Sequence, residues 1–132
     1  MHLVLYYFAV LIPMVVLDAL WILVLAKGFY ADKLGFLFSK TFNLVPAGFF
    51  YPTYAFAVLL LAVMPAISST SWIEALWRGA LLGLAAYATY DLTNQTTIAN
   101  WPTVVTVVDI SWGVLVTALT SVIAYFIITA FK

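Results

Sequence analysis

Residues 3–26 read LVLYYFAVLIPMVVLDALWILVLA, an apolar run interrupted only by Tyr6, Tyr7, Pro13 and Asp18. A bilayer's hydrocarbon core is crossed by about 20 apolar residues in helical form. The run stops at Lys27-Gly28, a basic residue beside a helix-breaking glycine, which marks a membrane boundary. It lacks a preceding basic segment and a small-residue cleavage site, and it is longer than a signal-peptide core. It therefore reads as a retained span. Composition agrees: the 132 residues are 67% hydrophobic and 8% charged, against about 45–50% apolar and about 25% charged in soluble domains. No water-soluble fold hides so much apolar surface.

Working outward, the pattern predicts an all-α, polytopic four-transmembrane-helix bundle, forming a single transmembrane domain over residues 1–132. The spans are expected near 3–26, 45–67, 73–92 and 103–131. Between the first two lies a stretch with Lys33, Lys40 and Asp32 among Phe29, Tyr30, Phe36 and Phe38, the mixture expected of an interfacial loop or helix. Pro46, Pro52 and Pro65 fall in the second span, which predicts a kink near Pro52. Ser68-Ser69-Thr70-Ser71 is a turn able to cap the third span, where Glu74 and Arg78 stand four apart and are expected to pair. Thr93 to Trp101 reads as a polar loop, with Pro102 at the start of the fourth span. Both termini then share one side. The opposite side, the loop face, carries Lys27, Lys33 and Lys40 against Arg78, Lys132 and the amino terminus, a slight bias toward a cytoplasmic loop face.

Several chemistries lose their footing. There is no cysteine, hence no disulfide or thiolate ligand. His2 is the only histidine, too little for a transition-metal site, and no metal ligand set is predicted. The few basic residues are scattered and net charge is zero, so nucleic acid is not an expected partner.

The informative residues are acids inside apolar spans, because an aspartate at a helix centre costs about 2.5–3.5 kcal/mol on insertion scales. Asp18, Asp91 and Asp109 all lie toward the loop face. At 1.5 Å per residue, Asp18 sits about 13 Å inward of Lys27, Asp109 about 10 Å inward of Pro102, and Asp91 shallower. Residues three and four apart share a helix face. This places Trp21 with Asp18, Tyr51 with Tyr54, Tyr87 with Asp91 ending near Asn94, and Asp109 beside Trp112 and Gly113. The expected polar pocket is therefore lined by Asp18, Trp21, Tyr51, Tyr54, Tyr87, Asp91, Asn94, Asp109 and Trp112. With no lysine or arginine at that depth, the acids must be protonated, share protons or await a cation. The alternative is structural: each acid fastens a neighbouring helix through Trp, Tyr or Ser. Asp18-Ala-Leu-Trp21 and Asp109-Ile-Ser-Trp112 share a pattern in antiparallel spans, compatible with an inverted repeat. Gly79-x-x-x-Gly83 reads as a helix-packing pair, and Trp72, Trp77 and Tyr125 as interfacial anchors.

The segments Tyr87-Ala-Thr-Tyr-Asp-Leu-Thr-Asn94, Trp101-Pro102 and Val108-Asp-Ile-Ser-Trp-Gly113, with Leu17-Asp-Ala-Leu-Trp21 and Gly28-Phe-Tyr30, resemble a bacterial family of small inner-membrane proteins classed as a domain of unknown function. The resemblance spans nearly the whole chain. It implies a multi-pass protein of the bacterial inner membrane, and marks Asp18, Trp21, Tyr30, Tyr90, Asp91, Asn94, Trp101, Asp109 and Trp112 without assigning them a reaction or a cofactor. The leading expectation is a lipid-embedded protein that binds or transports a small ligand, cation or proton on its acidic, aromatic-lined pocket. Alternatives are a membrane enzyme acting on a lipid or isoprenoid, and an accessory subunit. A homodimer or larger membrane complex is compatible with either.

Overall fold

The computed structural model describes Met1–Lys132 and is helical throughout, with no strand. Four long rods carry the fold: α1 His2–Leu25, α3 Val45–Ser69, α4 Trp72–Thr97 and α5 Thr103–Ala130. A short helix, α2 Phe29–Leu34, follows Gly28, whose φ of 88° uses the left-handed region that glycine enters without a Cβ clash. α2 continues into a 3-10 turn at Gly35–Leu37. The segment between the first two long helices is thus helical from Phe29 to Leu37 and irregular from Phe38 to Leu44, with Phe36 and Phe38 exposed.

α1, α3 and α5 are long and apolar enough to cross a membrane. α4 is comparable in length, at 26 residues, but carries Glu74, Arg78, Asp91 and a polar final turn. It makes its most extensive packing against α5, and protein cover relaxes the demand for an apolar surface.

Three local expectations need correction. The polar stretch from Thr93 is not a loop: α4 runs on to Thr97. The Thr96 and Thr97 hydroxyls donate to the carbonyls of Leu92 and Thr93, a back-bond that lets threonine remain in a helix. Only Ile98–Pro102 turns, with Asn100 at φ 61°, a conformation asparagine tolerates. The irregularity of α3 falls not at Pro52, through which the helix continues to Val58, but in a π turn at Leu59–Val63. Pro65 follows it; a proline ring clashes with the carbonyl four residues earlier, and a π turn relieves that crowding. Tyr125 is no interfacial anchor: it is buried beside Ala66 and Ala75, whose small side chains leave room for its ring. Trp72 and Trp77 are exposed.

Other readings hold. Ser71 caps α4, its Oγ accepting from the Glu74 N–H at 3.3 Å. Arg78 Nε donates to Glu74 at 2.7 Å.

Glycines set how closely α4 approaches α5. A Cβ on Gly83 would lie 2.2 Å from the Gly113 carbonyl oxygen, and one on Gly79 would lie 2.7 Å from that of Thr117. Gly113 faces the Tyr87 ring, so the two helices run antiparallel, residues 79, 83 and 87 matching 121, 117 and 113. The small-residue pair packs α4 inside the protein. In the half of the bundle away from α2, Val10, Met14, Val58, Leu59, Val63, Ala124 and Ile128 form an apolar core no more than 2% exposed.

Gly83→Ala should therefore cost about 1–3 kcal/mol through overpacking. Gly48→Ala, in open space, should not. Thermal unfolding of both variants in detergent, followed by circular dichroism, checks this; equal midpoints would contradict the close α4–α5 contact.

Candidate functional site

The other half of the bundle encloses a cavity of about 610 Å³. α1 supplies Asp18, Trp21 and Ile22, and the segment around α2 supplies Tyr30, Leu34 and Phe38. α3 gives Phe50 and Tyr51, and α4 gives Ala86, Tyr87, Tyr90 and Asp91. Trp101, Val105, Asp109 and Trp112 complete the wall. Thirteen of the sixteen lining residues are hydrophobic, aromatic rings among them, and the remaining three are the aspartates. The pocket is thus aromatic with acidic points rather than broadly polar, since each span turns its ring-bearing face inward along with its acid.

The two Asp-x-x-Trp segments meet crosswise. Trp21 and Trp112 stack with ring centroids 4.5 Å apart and planes 6° from parallel. Trp112 donates its indole N–H to Asp18 Oδ1 at 2.8 Å. Trp21 donates to the Tyr30 hydroxyl at 3.0 Å, and that hydroxyl donates to Asp109 Oδ1 at 2.8 Å. The tryptophan of each segment therefore serves the acid of the other, once directly and once through a tyrosine. Asp18 Oδ2 also accepts from Tyr51 at 2.9 Å. No lysine or arginine lines the cavity to compete for these carboxyl oxygens.

Asp91 differs. It has no exposed surface, and neither carboxyl oxygen has a hydrogen-bond partner. The α4–α5 register sets it beside Asp109, because Tyr87 abuts Gly113 and each acid lies four residues along its antiparallel helix. No three acidic or histidine side chains cluster tightly enough to hold one metal ion.

Seven residues anticipated for the pocket do line it: Asp18, Trp21, Tyr51, Tyr87, Asp91, Asp109 and Trp112. Tyr54 and Asn94 do not. The Tyr54 hydroxyl lies 2.7 Å from Thr117 Oγ1 and its ring meets Tyr87 edge-on at 6.5 Å, bracing the wall from behind. The Asn94 carbonyl accepts from the Ile98 N–H at 2.8 Å where α4 ends. Tyr30, Tyr90 and Trp101, marked by the family resemblance, also line the cavity, whereas helix-face reasoning missed them. Tyr30 and Trp101 lie outside the four rods, where periodicity is silent. Leu34, Phe38 and Phe50 carried no distinguishing signal.

These partners separate two of the acids energetically. Asp18→Ala strands an indole N–H and a phenol and should cost about 1–3 kcal/mol. Asp91→Ala removes an unsatisfied carboxyl and should leave stability unchanged or raised. Paired thermal melts decide; a larger loss for Asp91→Ala would contradict the bonding pattern.

No curated protein and no solved structure matches the chain. A family model covers residues 3–126, and the chain belongs to that family, described as a predicted membrane protein (DUF2177), of unknown function.

Proposed function

We propose that this membrane protein binds a small, largely apolar cation in the cavity beneath α2. The carrying observation is a wall whose only charged residues are Asp18, Asp91 and Asp109, set among tryptophan and tyrosine rings with no basic residue. Aromatic faces attract cations and carboxylates neutralise them, both effects strengthening where water is excluded. An intramembrane acid without a cationic partner points to a ligand or ion site. A cavity of about 610 Å³ falls in the range of small-molecule sites, about 300–1,000 Å³.

The same reading places the chain in the bilayer as one transmembrane unit with four crossings, α4 being the fourth. α4 is long enough, and its antiparallel packing on α5 supports a crossing despite its polar residues. Both termini then share one side. The loop face is cytoplasmic by its lysines, and the membrane is the bacterial inner membrane by the resemblance noted above.

Two experiments test this. Single cysteines at Ser39, Ser68 and Asn100, all exposed, should report Ser39 and Asn100 on one side and Ser68 on the other with an impermeant maleimide; any other partition rejects four crossings. For the cavity, tetraphenylphosphonium and tetraphenylborate match in shape and oppose in charge. Equilibrium dialysis against protein in nanodiscs, corrected with empty nanodiscs, should give the cation at least about tenfold tighter binding, a difference of about 1.4 kcal/mol. Equal binding, or tighter binding of the anion, rejects the cation site.

A further inference from the structure

We infer that the cation this cavity takes is a protonated primary or secondary amine, received through its N–H groups by Asp91; this rests on the cation-site reading above. The three carboxyls differ in what they already do. Asp18 accepts from Trp112 and Tyr51, and Asp109 accepts from Tyr30. Both are engaged in holding the wall together. Asp91 is on the same wall, has no exposed area, and offers two oxygens with no donor in reach other than a proton shared with the adjacent Asp109.

A buried acceptor left unpaired is unfavourable, and an ionised carboxylate accepts on both oxygens. The missing partner therefore brings donors. A proton shared between Asp91 and Asp109 supplies one hydrogen bond and leaves the second Asp91 oxygen bare. An ammonium with two or three N–H groups supplies both, and its positive charge falls between the two acids. A quaternary ammonium or a phosphonium gains from the rings but donates nothing, so Asp91 remains unsatisfied when it binds. Asp91 has no exposed area, so contact with the amine requires a wall side chain to move aside. The aromatic remainder of the wall suits an apolar body behind the amine.

The test uses protonated diphenylpropylamine and its N,N,N-trimethyl counterpart, which share a skeleton and a charge and differ in N–H donors. Equilibrium dialysis with wild-type protein in nanodiscs should show the primary ammonium bound about tenfold to a hundredfold tighter, as a hydrogen bond to a charged group implies. In Asp91→Asn, shown to be folded by its circular dichroism, the preference should collapse toward equality. Equal affinity for the two ammonium ions in wild type overturns the inference even if the variant fails to fold, and so does a preference that survives in a folded Asp91→Asn. If neither ammonium nor tetraphenylphosphonium binds, the cation site itself falls. If tetraphenylphosphonium binds and no preference appears, only the role of Asp91 falls.

Discussion

A carboxylate placed inside an apolar bundle without a cation must draw its stabilisation from neutral donors, and the arrangement of this protein follows from that requirement. Asp18 gathers donors from α3 and α5 through Tyr51 and Trp112. Asp109 takes its donor from Tyr30 on α2, which in turn is held by Trp21 of α1. Two acids thereby tie together every helix but α4, and the stacked indoles lie where the ties cross. The bonds join residues 33 to 94 positions apart, apart from the local Trp21–Tyr30 link. They therefore fix tertiary arrangement rather than helix formation, which the apolar sequence already favours in lipid.

α4 enters by another route. Gly79 and Gly83 let its backbone press against α5 where any side chain would collide, and this contact carries Asp91 to the flank of Asp109. The approach that close packing permits is also what leaves Asp91 without solvent or donor. Buried polar groups left without a partner are rare in folded proteins.

The four helical rods were legible because long apolar runs and their punctuation carry a strong signal. The intramembrane acids stood out for the same reason: charge in a span is costly and rare. Finer features depended on tertiary context. Tyr51 and Tyr54 are three apart and nearly share a face, yet about 60° of helical rotation sends one hydroxyl to Asp18 and the other to Thr117. Thr93 to Thr97 looks like loop by composition, yet it stays helical with the Thr96 and Thr97 hydroxyls turned back onto carbonyls four residues earlier. Tyr125 resembles an anchor by its position near a span end; the space left by Ala66 and Ala75 draws it inward. The α2 contribution was invisible to periodicity, because Tyr30 acts from a short connection.

The apolar core built on Val10, Met14, Val58, Leu59, Ala124 and Ile128 has a consequence for traffic. It fills the half of the bundle opposite the cavity, so the open space is not continued through that half. On the cation-site reading proposed above, an occupant enters and leaves on the cavity's own side. On that reading, passage to the far side would require tightly seated side chains to part and repack. Capture and release on one side, by contrast, leaves that half of the molecule undisturbed.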